Sequence, residues 1–194
     1  FTVPLPRCSR ASIGQKEYNM LPKQYAWLNA EKLPSLLATA LSLYGTAEKP
    51  GPGNNPSILA WAKATGLDKV YKADATAWCG LFMAYVALQS RWEVPVNPLA
   101  ARNWQEFGVK AIVPMLGDVL VFARKGGGHV GIYVGEDDGA YHVLGGNQSN
   151  MVNIKRVAKT RLLQARRCRW KVAQPGNVRV VKLAASGTLS QNEA

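Results

Sequence analysis

The sequence predicts an α+β domain with the helices first and the strands after them. Three observations predict it. From Leu33 to Gln89, apolar residues recur at spacings of three and four, the helical period. From Gly117 to Trp170 the chain breaks into short β-rich runs separated by turn signals such as Lys125-Gly126-Gly127-Gly128 and Asp138-Gly139. Those runs are too close together for parallel crossovers, so they should pair as antiparallel hairpins. Helices grouped ahead of strands is the α+β pattern.

The elements follow in chain order. Residues 1–30 read as an N-terminal arm with no clear period. In "EKLPSLLATALSLYG" Pro34 suits a first helical turn and Gly45 a C-terminal cap. "TAEKPGPGNNP" is a loop stiffened by Pro50, Pro52 and Pro56. "SILAWAKATG" is a second helix, with Ser57 as N-cap and Gly66 as stop. A third runs from about Trp78 to Gln89 and is apolar all round, the mark of a buried helix. Five strands are expected in "GDVLVFAR", "GHVGIYVGED", "AYHVLGGN", "MVNIKRVA" and "RLLQARRCRW". Residues 31–172 form the domain and 173–194 a weakly ordered tail.

Bulk properties narrow the function classes. A chain of 194 residues holds one well-buried domain. No run approaches the ~18 apolar residues of a membrane span, so no transmembrane segment is expected. The opening "FTVPLPRCSR" has no apolar core of signal-peptide length, so an export route is not legible there. Three cysteines make no disulfide framework, although Cys8 and Cys168 could pair in an oxidising compartment. No cysteine–histidine spacing fits a structural zinc site.

Charge is the strongest bulk signal. Twenty-four Lys and Arg against twelve Asp and Glu give +12, a field that attracts nucleic acid, anionic lipid or an anionic wall polymer. The basic residues bunch between Lys155 and Arg179, which reads equally as a docking surface or a solvated face. No nucleic-acid reading motif accompanies them, so no specific nucleic acid is expected.

The chemistry gathers at Cys79. A helix beginning near Trp78 puts this thiol at its N-terminal end, where unpaired N–H groups and the macrodipole favour thiolate and should lower its pKa. A nucleophilic cysteine needs a base in reach, and the base needs a polar group to hold its ring. His129 opens a strand just after three glycines, and Asn147 closes the next strand, where antiparallel pairing can set it beside the imidazole. By strand alternation His142 points the other way and reads as structural. Spacing alone leaves open that Cys79 and His129 are simply core residues.

"WCGLFMAYV", "GDVLVFARKGGGHVGIYVGED" and "YHVLGGNQSNMVNI", in this order, resemble the NlpC/P60 and CHAP-type cysteine peptidase superfamily, and within it phage-encoded, endolysin-like cell-wall hydrolases. "NPLAARNWQEFG" and "GTAEKPGPGNNPSILAWAK" share in the likeness, which runs from about Leu33 to Trp170. The resemblance implies a papain-like fold, N-terminal helices packed on a small antiparallel sheet, and cleavage of an amide bond in peptidoglycan. Cys79 matches the nucleophile, His129 the general base and Asn147 the group that orients the ring. Trp78, Glu48 and Gln148 are expected at the substrate; Trp78 also suits the core, and Glu48 a solvated loop. Many members carry an acid immediately before the cysteine, where this chain has Trp78. The resemblance implies no cofactor and no metal, with action at the bacterial wall or periplasm by a phage-encoded or secreted protein. The bond could be the muramoyl–L-alanine amide or a peptide bond of the stem or cross-bridge. A catalytically inactive, basic wall-binding or phage-tail module is the alternative.

Overall fold

Prolines set where the first two helices begin. The structure, a computed structural model, describes residues 21–170 and 173–190. Cys8, and with it any pairing to Cys168, lies outside the described residues, as do the first twenty residues of the expected arm. Helix α1 spans Ser35–Leu41 behind Pro34, and α2 spans Pro56–Ala64. The sequence points to Ser57 as the cap of α2, but the cap is Asn55, whose side-chain oxygen accepts the Ser57 N–H at 2.8 Å. Pro56 explains the shift. It occupies the first helical position, where its missing N–H costs the helix nothing.

Helix α1 also ends earlier than Gly45. That glycine, at φ 85°, turns the chain toward the sheet and donates its N–H to the Val152 carbonyl at 2.9 Å. Residues 45–48 then run antiparallel to 150–152, with Glu48 N–H bonded to the Asn150 carbonyl at 2.8 Å. This pairing carries Glu48 to the turn that follows the fourth strand.

Helix α3 spans Cys79–Gln89, with Trp78 as its N-cap residue. Leu81, Phe82, Met83 and Val86 are fully buried, and each such side chain contributes roughly 1.5–3 kcal/mol of burial energy. Apolar residues all round therefore make α3 a rigid central post. No helix among the described residues is long and apolar enough to cross a membrane.

Among the described residues, seven strands form one sheet: β1 Val109–Ala111, β2 Val119–Arg124, β3 Gly127–Glu136, β4 Ala140–Gly145, β5 Asn153–Ala158, β6 Leu162–Arg167 and β7 Leu189–Ser190. Their order is β1-β6-β2-β3-β4-β5-β7. All neighbours are antiparallel except β5 and β7. The architecture is thus α+β. The five expected strands are present; β1 and β7 are too short to show an alternating pattern. Strand alternation splits the core. Val130, Ile132 and Val134 join the cluster that holds the three α-helices, while Leu120, Phe122, Tyr133 and Val143 make a second cluster on the other face.

Segments 23–29 and 173–190 lie against this sheet. A 3-10 turn at Lys23–Asn29 buries Tyr25 and Leu28. Residues 173–190, expected as a weakly ordered tail, bond to the sheet through Glu136 N–H to the Val181 carbonyl and Leu183 N–H to the Glu136 carbonyl. A Cβ on Gly135 would stand 2.5 Å from the Leu183 side chain, so glycine is what lets the segment cross there. The basic cluster fastens the same region. Arg156 bonds Asp137 and the Gly187 carbonyl, Arg161 the Ala123 and Ser190 carbonyls, Arg166 the Phe107 carbonyl, and Arg167 grips both oxygens of Asp118. These guanidiniums act as internal ties between strands, loops and tail.

Candidate active site

Cys79 is the first residue of α3 and only 5% exposed. Glycine at position 80 makes the seat possible, because a Cβ there would stand 2.3 Å from the Pro98 carbonyl oxygen. The segment 98–99 thereby closes over the first turn. The sequence leads one to expect a thiol of lowered pKa at this helix head. The N–H groups of Val130, Gly80 and Cys79 itself, with the Arg124 charge, do pull it down, but burial outweighs them and the thiol lies above its ordinary value. Desolvation in a closed site wins over the helix end.

The Val130 N–H bonded to this sulfur belongs to the residue after His129, so the thiol meets β3 at the peptide that carries the imidazole. His129 is fully buried. It faces Phe122 across the β2–β3 ladder and stacks on that ring, with centroids 6.4 Å apart. Its Nε2 lies 3.0 Å from the Gln148 side-chain oxygen. The Gln148 amide nitrogen donates to the carbonyls of Val143 (3.1 Å) and Asn153 (2.7 Å), and the Asn153 amide returns a bond to the Gln148 carbonyl at 2.8 Å. These bonds decide which way the Gln148 amide points, so its oxygen must face the ring. An acceptor at Nε2 requires a proton there. In the neutral ring the lone pair is then on Nδ1, and proton exchange falls to that nitrogen.

Gly146 abuts the first turn of α3, and Gly145 abuts the Gln148–His129 pair. A Cβ on Gly146 would stand 2.5 Å from the Phe82 Cβ and 2.8 Å from the Trp78 ring, and one on Gly145 would stand 3.2 Å from His129 Nε2. Only backbone fits at these two positions.

The structure redistributes the other expected roles. Asn147 does not hold the ring; Gln148, expected at the substrate, does. In the amide orientation that satisfies both its groups, Asn147 donates to Glu48 Oε1 at 3.1 Å and accepts the Trp78 N–H at 3.3 Å. It braces the start of α3. The physical reason lies in the backbone: β4 ends at Gly145, and Asn147, Ser149 and Asn150 all have positive φ, so strand alternation no longer applies. One signal could have separated the two amides. Asn tolerates the left-handed region far better than Gln, which assigns the turn to Asn147 and leaves Gln148 to point inward.

Trp78 is fully buried, packs against Trp61 with centroids 6.0 Å apart, and donates its Nε1–H to Glu48 Oε1 at 2.7 Å. It belongs to the core. Glu48 is half-buried and braces both Trp78 and Asn147. A groove of about 460 Å³ opens beside it, between the Pro/Gly loop at Ala47–Gly53 and the turn at Ser149–Met151. A hollow of about 500 Å³ lined by Trp92, Phe107 and Trp170 lies at the far end of α3, away from the thiol.

His142 sits apart from this site. Its Nε2 lies 3.0 Å from Asp137 Oδ2 and its Nδ1 2.7 Å from the Tyr25 hydroxyl. Among the described residues no group of three or more His, Cys, Asp or Glu side chains is placed to hold a metal ion. No family model and no curated protein matches the chain.

Proposed function

We propose that the chain is a papain-like cysteine hydrolase of NlpC/P60 or CHAP type that cleaves an amide bond in the peptide of peptidoglycan. The observation that carries this reading is the fixed tautomer of His129. A fully buried amide holds Nε2–H, beside a thiol seated at a helix head. Every buried imidazole needs a partner; what marks this one is a neutral amide acceptor on the ring beside that thiol.

The raised thiol pKa selects the route. Cys79 attacks as a neutral thiol, with His129 Nδ1 taking its proton as the sulfur–carbon bond forms. The ring becomes cationic while the Gln148 oxygen keeps its bond to Nε2–H. The Cys79 backbone N–H, at the helix head, faces the developing oxyanion. Nδ1 then gives its proton to the departing amine, the carbon–nitrogen bond breaks, and a thioester remains. Water adds to the thioester, passing a proton through His129 to the sulfur, and releases the acid. The groove beside Glu48, which braces the residue before the thiol, is where the peptide would lie. The net charge of +12 concentrates the protein on the anionic wall, an effect that fades with salt. The site of action is the bacterial wall or periplasm, reached from a phage-encoded or secreted protein.

Digestion of purified sacculi, followed by mass spectrometry of the products, tests the reading. Wild-type protein should release shortened stem peptides or free stems, the masses telling endopeptidase from muramoyl–L-alanine amidase, and Cys79→Ala should release none while remaining folded. One observation favours a second reading, an inactive basic wall-binding or phage-tail module: the thiol is closed off and its pKa raised. Unchanged sacculi with retained wall binding would establish that module instead.

A further inference from the structure

Five arginines among the described residues are half-buried: Arg124, Arg156, Arg161, Arg166 and Arg167. The last four are each bonded to a carbonyl or carboxylate. Arg124 has no hydrogen bond or ion pair to any described residue. A partly desolvated guanidinium with five donors and no acceptor is costly unless something else supplies one.

Its position indicates what. Arg124 ends β2 opposite Gly127, and Phe122 pairs with His129. Residues 122 and 124, like 127 and 129, share a face. The guanidinium therefore stands on the face of the hairpin that carries the imidazole, two residues along. Its charge also acts on the Cys79 sulfur. Two further cations flank it. Lys125 is exposed at the hairpin turn, and Arg102, also exposed, is anchored by Nε to the Gly127 carbonyl at 3.1 Å. Gly128 admits this approach, since a Cβ there would stand 2.9 Å from the Arg102 side chain.

We propose that Arg124, supported by Arg102 and Lys125, binds a carboxylate of the substrate next to the bond under attack. A planar guanidinium matches a carboxylate through two parallel N–H donors. The substrate class becomes an acidic peptide with a free carboxylate near the scissile amide, in preference to its amidated form. This deepens the hydrolase reading and rests on it for the word substrate; the anion site itself does not.

Two measurements separate the site from the hydrolase reading. The first compares alkylation of Cys79 in the full chain by iodoacetate, an anion, and iodoacetamide, its neutral analogue, read by mass spectrometry of the Cys79 peptide. The rate ratio should exceed that of glutathione in the same buffer, fall severalfold in Arg124→Gln, and largely persist in Arg124→Lys. A ratio equal to that of glutathione and unmoved by Arg124→Gln overturns the proposal. So does a Cys79 that neither reagent reaches, since no anion path then leads to the sulfur. The second compares stem peptides bearing isoglutamate or isoglutamine. KM for the carboxylate peptide should rise severalfold in Arg124→Gln, with the amidated peptide unaffected; equal effects on both overturn it. Uncut peptides with a ratio that still falls would remove the hydrolase and leave the anion site standing.

Discussion

Two histidines, His129 and His142, lie fully buried on neighbouring strands. They differ in what holds them. His129 has its Nε2 on a neutral amide oxygen of Gln148. His142 has a carboxylate on one nitrogen and a phenol on the other, and the same carboxylate carries Arg156 at 2.7 Å. A ring clamped by a neutral acceptor at one nitrogen can gain and lose a proton at the other without unpairing its partner. A ring engaged at both nitrogens, between Tyr25 and the Asp137–Arg156 pair, is a strut that ties the N-terminal turn to the sheet. Burial lowers the His142 pKa, and the Asp137 hydrogen bond only partly offsets this. The Arg156 guanidinium in turn holds Asp137 well below the ordinary carboxylate range. A histidine's burial therefore says little about its role, whereas the charge of its partners says much.

The largest effect that would break this contrast concerns the clamp. Gln148→Ala frees the ring to tilt and change tautomer, and misplacement of that kind costs on the order of 10²-fold in kcat. Asn147→Ala, which touches Trp78 and Glu48 but not the ring, should cost far less. Kinetics on soluble muropeptides with both variants checked for folding would measure this; a larger loss in Asn147→Ala would return the orienting role to that residue. Gln148→Glu sharpens the point. A carboxylate at Nε2 favours the charged ring, so the acid limb of the kcat/KM profile should move to higher pH.

A smaller effect lies on the other histidine. The unfolded chain takes up a proton at His142 near the ordinary pKa of 6.5, before the folded chain can. The ring's contribution to stability is therefore whole above about pH 6.5 and is lost as the pH falls toward the depressed folded value. The part owed to Asp137 persists until roughly pH 4. The melting temperature of the wild type should thus decline between about pH 7 and 5, and the decline should be shallower in His142→Gln, with turnover at neutral pH little changed. Equal slopes, or loss of turnover in His142→Gln, would erase the difference between the two rings.

Much of this was legible in the sequence, for identifiable reasons. Helix α3 carries an apolar pattern that only a buried helix satisfies, and β2 to β6 announce themselves by turn residues and alternation. The reading of His142 as structural rested on alternation carried through to Asn147, which stops at Gly145; its bonds to Tyr25 and Asp137 are what make it a strut. The identity of the His129 partner was not legible, because the chain leaves the strand at Gly145 and three positive-φ residues follow within five positions. Nor was the closure over Cys79, which depends on the carbonyls of 98–99 meeting Gly80, a contact between segments far apart in sequence. The role of the late arginines was equally hidden. A run of positive charge looks the same whether its guanidiniums meet solvent or, as for Arg167 and Asp118, a buried carboxylate.

Whether Cys79 carries an acyl group during turnover can be seen by trapping the protein in mid-reaction. The protein is mixed with soluble muropeptides, quenched in acid within the first turnovers, and analysed by mass spectrometry of the Cys79 peptide. Cys79 should carry an adduct equal to the acyl half of the substrate, labile to hydroxylamine as a thioester is, and absent from His129→Ala. Cleaved muropeptide from a Cys79→Ala protein, with no adduct on the wild-type thiol, would contradict an acyl-enzyme at Cys79.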